Sequence, residues 1–157
     1  MKLNREAVAE RLHRVLLAPE DAVGLTVRGR TKAAVLVPLY LQDGELHGVF
    51  TKRREDLRRH PGEISFPGGR SDEGETSFLA TALREAEEEI GLPPDAVEIV
   101  GALQPTTTMA TGYGIYPFVG LIEPGREWTL SPREVAELLE LSLRQLHQGY
   151  ALSLIHI

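Results

Sequence analysis

The 157-residue sequence contains no cysteine. That absence excludes disulfides, thiolate metal sites and a cysteine nucleophile. No apolar run approaches the ~20 residues needed to span a bilayer. The opening, MKLNREAVAERLHRV, is too charged for a secretory signal. A basic tract is missing as well: 17 Lys and Arg stand against 23 Asp and Glu, for a net charge of -6. A nucleic-acid partner held through its phosphates is therefore not expected. A phosphorylated small molecule stays compatible with the acidic chain if a metal mediates the contact. The expectation is a soluble cytoplasmic protein with neither membrane nor nucleic acid as partner.

What is present suits a folded domain. Hydrophobic residues make up 42% and charged residues 25%, a composition able to bury one core. Asn4 reads as an N-cap, followed by Ala7, Val8, Leu12, Val15 and Leu16 at helical spacing and then Pro19. Residues 18 to 31 read as loop. The run AAVLVPLYL (33 to 41), the turn QDGE (42 to 45) and LHGVFTKR (46 to 53) read as a β-hairpin. The stretch 57 to 75 is rich in Gly and charge, and connections of that length are often functional. A helix is expected from about Thr76 to Ile90, ended by Gly91 and by Pro93 and Pro94. Residues 96 to 103 and 113 to 122 read as strands around the polar loop TTTMATG. A last helix is expected from Ser131, as N-cap, to about His147. The apolar end LSLIHI (152 to 157) follows a helix that reads as complete and resembles a translated sequencing-adapter end. It is expected either to be a non-native tail after about Ala151, with few specific contacts, or to form a final strand.

Residues 84 to 91, REAEEEIG, hold four Glu and no Lys. At about 100° per residue, Glu85, Glu88 and Glu89 share one face and Glu87 points elsewhere. Leu79, Ala82, Ala86 and Ile90 form the adjoining apolar stripe. The clustered carboxylates repel one another, and Glu88 and Glu89 also lie at the negative end of the helix dipole. A divalent cation with hard oxygen ligands, Mg²⁺ or Mn²⁺, would reverse the sign of both effects. Taken alone, the run reads more simply as a solvated acidic face. Upstream, however, FPGGRSDEGE supplies Gly68-Gly69, where backbone can approach a ligand closely. A Gly-rich loop feeding an acidic helix capped by Gly is a rarer combination.

Gly69, Glu75 and Arg84-Glu85-Ala86-Glu87-Glu88-Glu89-Ile90-Gly91-Leu92 resemble the Nudix box. That pattern is Gly, five residues, Glu, seven residues, then Arg-Glu-U-x-Glu-Glu-x-Gly-U, with U aliphatic. Here eight residues, Thr76 to Leu83, separate Glu75 from Arg84. The longer spacing is similar to the coenzyme A pyrophosphatase branch. There the box follows a segment like LLTxRSxxLRxHxGQVxFPGG, then xxDxxD and TALREAxEE. This chain has VFTKRREDLRRHPGEISFPGGRSDEGE, then TALREAEEE, with Glu63 for the Gln and Glu75 for the second Asp. TGYGIYPFVG (111 to 120) also resembles the branch. The likeness covers roughly residues 30 to 147.

The resemblance implies one α/β domain over residues 1 to 151, an α/β/α sandwich around a mixed β-sheet. It implies metal-dependent hydrolysis of a CoA-like diphosphate, cut to 4′-phosphopantetheine and adenosine 3′,5′-bisphosphate. A homodimer is compatible with it. Metal ions neutralise and orient an anionic diphosphate and acidify an attacking water. Glu85 and Glu89 are the primary expected ligands, with Glu88 third and the Gly69 carbonyl fourth. Glu85, Glu134 and Glu137 are candidate general bases, and Arg84 is expected to orient a box carboxylate. Arg58, Arg59 and His60, beside Gly68, are candidates to bind substrate phosphate, against the plainer reading of a basic loop paired with nearby acids. Tyr113, Tyr116 and Trp128 read as packing residues, with Tyr113 and Tyr116 bordering a ligand near the TTTMATG loop as the lesser alternative. Another diphosphate, such as ADP-ribose or a dinucleotide, and a non-catalytic nucleotide-sensing module stay open.

Overall fold

The computed structural model describes residues 3–29, 31–57, 61–72, 74–75, 77–108, 112–148 and 155–156. Asn4 caps helix α1 (Arg5–Val15), its side chain accepting the Ala7 N–H at 2.9 Å. The following residues are not all loop, as expected above. Pro19 at the first helical position, with Glu20 and Asp21 in the first turn, starts a short helix α2 (Pro19–Val23). Strands β1 (Thr31–Gln42) and β2 (Glu45–Arg53) then form the expected hairpin. Asp43 and Gly44, at φ 53° and 76°, make the left-handed pair that a two-residue turn between twisted strands favours.

Two short strands follow, β3 (Ile64–Ser65) and β4 (Gly68–Arg70). Helix α3 (Phe78–Ile90) starts one residue after Ser77, whose hydroxyl accepts the Ala80 N–H at 3.0 Å. It ends at Gly91, in the left-handed region at φ 72°. A 3₁₀ turn (Pro94–Ala96) leads to β5 (Glu98–Ala102), β6 (Thr106–Thr107) and β7 (Tyr113–Leu121). Among the described residues these join one mixed sheet. β1 runs parallel to β7, from Thr31 beside Tyr113 to Leu39 beside Leu121, while β5 and β6 pair antiparallel with β7.

The expected last helix is instead a strand, β8 (Val135–Ser142), followed by a single helical turn, α4 (Leu143–His147). VAELLELS holds good helix formers. It also faces the outer edge of β2, and there it pairs antiparallel from His47–Ser142 to Arg53–Val135. Satisfying that backbone edge and covering the sheet outweighs a helix preference of a few tenths of a kcal/mol per residue. Ser131 accepts the Glu134 and Val135 N–H groups in a turn before the strand, and Ser142 is the residue that caps α4, accepting the Gln145 N–H at 3.1 Å. Residues 152–154 and 157 lie outside the described residues. The backbone of Ile155–His156, β9, runs parallel to β3.

Alternate residues of β1 serve opposite faces. Ala34, Leu36 and Tyr40 meet Ala82, Ala86 and Ile90 of α3 and Tyr116 and Phe118 of β7. Val37 and Leu39 meet Val8 and Ala9 of α1 with Val100, Val119 and Leu121. Buried on both sides, β1 reads as one apolar run. The layers are therefore helix, mixed sheet, helix, as expected for an α/β/α sandwich. Tyr116 and Trp128 pack, as read above. The Tyr116 ring stacks on Phe78 with centroids 4.2 Å apart and its hydroxyl donates to the Leu25 carbonyl at 3.1 Å. Among the described residues no helix is long and apolar enough to cross a membrane.

Candidate metal centre

The apolar stripe of α3 fixes the rotation of the helix on the sheet and so decides where its acids point. Ala82, Ala86 and Ile90 are fully buried. Glu89, flanking this stripe on the Ala82 side in rotation, is only 6% exposed. Glu87, on the opposite side, is exposed. β4 passes over the acidic face: an added Cβ on Gly69 would lie 2.7 Å from Cδ of Glu85. A Cβ on Gly68 would lie 2.4 Å from the Ala34 carbonyl oxygen. Both positions need glycine because something else occupies the space, backbone of β1 in one case and a carboxylate in the other.

Arg84 organises the neighbouring acids. Its Nε and Nη2 donate to the two oxygens of Glu75, both at 3.0 Å. Its Nη1 donates to Glu85 at 3.0 Å and to Glu88 at 3.1 Å, and its Nη2 reaches the Arg70 carbonyl at 3.1 Å. Arg84 thus hydrogen-bonds three carboxylates of the box. The pairing with Glu75 forms despite the extra residue, because Glu75 precedes the Ser77 cap and the insertion falls outside the helix. The Arg84 fork holds the Glu75 carboxyl down at about pKa 2, helped by the Asp72 and Thr81 hydrogen bonds against the opposing effect of burial.

The turn before β8 brings in a third carboxylate from far along the chain. Thr129 N–H donates to the Ile90 carbonyl at 3.2 Å and Ser131 N–H to the Glu89 carbonyl at 2.8 Å. These bonds satisfy carbonyls left open at the end of α3 and fix the turn beside it. The β2–β8 ladder shifts register between Lys52 and Arg53, opposite Val135, and Glu134 lies just before that point. Carboxylate oxygens of Glu85, Glu89 and Glu134 lie within 4.8 Å of one another. Burial first, then the Glu85 and Glu134 charges, push the Glu89 carboxyl well above the usual range, with the Gly68 N–H and Arg53 pulling the other way. The Glu85 carboxyl is also raised, by burial above all, with Arg84 opposing.

The donor set fits a hard divalent cation. Three carboxylates converge where two of them hold their protons unusually tightly, and Gly69 leaves room at the Glu85 carboxylate for nothing larger than hydrogen. Oxygen ligands of this kind suit Mg²⁺ or Mn²⁺. A cavity of about 20 Å³ beside Glu89 and Glu134 is lined also by Thr51, Arg53, Ser65 and Gly68.

Of the expected site residues, Glu85, Glu89 and Glu134 come together, with Gly68 and Gly69 above them. Glu88 does not join the three: it stays with Arg84, its side chain 59% exposed. Glu137 lies on β8 opposite Lys52, on a strand and not in a helix. Arg58, Arg59 and His60 lie outside the described residues. Arg53 escaped the sequence reading. Its signals were a cation at the end of a β-strand and the Arg at its place in the branch pattern, and neither aims it at a carboxylate more than thirty residues away.

The NUDIX domain profile matches residues 30–152. Two curated relatives carry the name Uncharacterized Nudix hydrolase NudL. That of Enterobacter sp. (strain 638) is 42% identical over 119 residues, and that of Escherichia coli O7:K1 is 46% identical over 121 residues. The alignments cover 76% and 75% of this chain, and the chain spans 61% of the length of each relative. Among solved structures, a C. elegans Ap4A hydrolase binary complex superposes with TM-score 0.62 at 18% identity, covering 76% of this chain and 85% of that one. The NUDIX domain of Shewanella oneidensis NrtR complexed with ADP ribose superposes with TM-score 0.60 at 16% identity, covering 80% of each chain. At such identities the likeness is one of fold.

Proposed function

This chain belongs to the Nudix domain family, and on that premise we propose that it is a divalent-metal-dependent hydrolase of a diphosphate, with coenzyme A or a derivative as substrate. One observation carries the reading: the convergence of Glu85, Glu89 and Glu134 under the Gly68-Gly69 strand. These three residues would hold Mg²⁺ or Mn²⁺, with the Gly69 carbonyl as a further donor and Glu88 as one that must first leave Arg84. When bound, the ion neutralises the diphosphate and lowers the pKa of water.

The chain's own residues do the rest. Arg84 fixes Glu85 from one side while Gly69 admits its carboxylate from the other. Glu134 sits on a turn, exposed and open to water, and is the proposed general base, accepting the proton of the attacking water at a carboxylate oxygen. Glu85 is the alternative base. The small cavity beside Glu89 limits how much solvent reaches the buried ligand.

The choice of coenzyme A rests on LRRHPGE and the FPGG segment, which resemble the coenzyme A pyrophosphatase branch. The products would be 4′-phosphopantetheine and adenosine 3′,5′-bisphosphate. The 3′-phosphate adds close to two negative charges, and Arg58, Arg59 and His60 are the cations placed to meet it by sequence. Arginine suits this role because its planar fork binds two phosphate oxygens. Arg58→Ala should narrow the preference for CoA over dephospho-CoA in kcat/KM, with a loss on CoA of about 1.5–3 kcal/mol. Equal losses on both substrates would assign Arg58 to the shared diphosphate or to the loop itself. A second reading, hydrolysis of ADP-ribose or a dinucleotide, draws support from the fold neighbours, an Ap4A hydrolase and a NUDIX domain complexed with ADP ribose.

A further inference from the structure

Glu134 is the one carboxylate of the cluster that does not come from α3, so something must hold its turn in place. Two hydrogen bonds to the turn between Leu130 and Val135 come from a single residue. Arg54 donates its backbone N–H to the Glu134 carbonyl at 3.1 Å, and its Nη1 donates to the Pro132 carbonyl at 2.6 Å. The remaining face of the guanidinium is taken by Asp56, which accepts from Nε at 2.9 Å and from Nη2 at 2.6 Å. This two-point hold fixes the plane of the fork, leaving Nη1 aimed at the turn.

The side chains of Arg54 and Asp56 are 42% and 64% exposed. Ion pairs that exposed add little to global stability. The arrangement therefore makes more sense as a positional device than as a stabilising one.

We propose that Arg54, oriented by Asp56, is a positioning residue that clamps the Pro132–Glu134 turn so that the Glu134 carboxylate reaches Glu85 and Glu89. The inference rests on the metal site proposed above. It makes the segment just before LRRH a control on the cation as well as on substrate. Loss of a partner that orients a ligand typically costs 10- to 100-fold in metal affinity.

Two readouts on the full chain test it. In metal-free protein, hydrogen exchange of residues 131 to 135 should accelerate in Arg54→Ala while that of α3 stays as in wild type. Mn²⁺ titrated alone should bind about 10-fold more weakly to Arg54→Ala than to wild type. Glu134→Gln should show a similar loss, and the double variant little more than either single one. Arg54→Lys should fall between, since an ammonium cannot hold both Asp56 oxygens and the carbonyl. Asp56→Asn, which keeps the arginine, should shift both readouts in the same direction by less. Unchanged exchange at 131 to 135 would overturn the clamp, as would losses in Mn²⁺ affinity that simply add. If wild-type protein binds no Mn²⁺, the metal reading fails, and the exchange result still decides whether Arg54 holds the turn.

Discussion

Replacing Gly69 with alanine should separate stability from function at one methyl group. The new Cβ would lie 2.7 Å from both Cδ and Oε1 of Glu85. Ordinary contact begins at 3.4 Å, so the carboxylate must retreat by the difference, about 0.7 Å. It is the free end of a flexible side chain, and an off-rotamer shift costs about 0.5–1.5 kcal/mol. Gly69 is extended in β4, so its backbone conformation accepts alanine. Folding should survive with a small loss in Tm. A proposed ligand displaced by such a distance is another matter, since misplacement by ~1 Å costs of the order of 10²-fold in rate. The neighbouring change gives the contrast. Gly68→Ala drives its Cβ to 2.4 Å from the Ala34 carbonyl oxygen and 2.7 Å from Val35 Cα, which are backbone atoms that cannot step aside. Its cost should reach or pass the upper end of the ~1–3 kcal/mol typical of overpacking. Calorimetry of both variants, with Mn²⁺ titration and turnover of Gly69→Ala, provides the assay. Wild-type Mn²⁺ affinity and turnover in Gly69→Ala would refute the placement of Glu85 in the site, and unfolding of both variants alike would refute the packing argument.

Other outcomes follow from the acids around Arg84. Glu75→Gln removes a carboxylate whose pKa is about 2 when folded. Its stabilisation is present above the unfolded value near 4.5 and lost as pH falls toward 2, so urea titrations should show Glu75→Gln less stable by about 1.5–3 kcal/mol at neutral pH and the gap closing on acidification. Glu89 has the opposite sign: its folded pKa is raised, so the metal-free protein should lose stability as pH rises through the interval between the unfolded and folded values. Glu89→Gln should reduce that slope to the part left by Glu85, raise Tm without metal and cut turnover by orders of magnitude, while Glu87→Gln, on the exposed face, stays near wild type. Equal loss of activity from Glu87→Gln would contradict the helix rotation.

Where local signals agree with tertiary needs, the sequence was readable. Asn4 capped a helix, Asp43-Gly44 turned a hairpin and Gly91 ended α3, each through backbone geometry set by a single residue. The rotation of α3 was readable too, because Leu79, Ala82, Ala86 and Ile90 leave one way to dock. β8 was not readable, since Ala, Glu and Leu favour a helix and only the open edge of β2 makes them a strand. The site split along the same line. Glu85 and Glu89 are one turn apart and could be placed by periodicity. Glu134 could be named as a candidate, but its arrival beside them depends on the Ser131 turn docking on the end of α3. Glu88 shared the face by spacing and was nonetheless claimed by Arg84, because a guanidinium four residues away is the stronger partner when no cation competes.

Turnover of a panel of diphosphates with and without Mg²⁺ or Mn²⁺ tests the central claim most directly. The purified 157-residue chain would be offered coenzyme A, dephospho-CoA, ADP-ribose and a dinucleotide, with products separated chromatographically. The account expects hydrolysis only with the metal, abolished in Glu85→Gln and Glu89→Gln, with kcat/KM highest for coenzyme A and adenosine 3′,5′-bisphosphate among the products. Better turnover of ADP-ribose than of coenzyme A would contradict the substrate, and no metal-dependent cleavage of any of the four would contradict the enzyme.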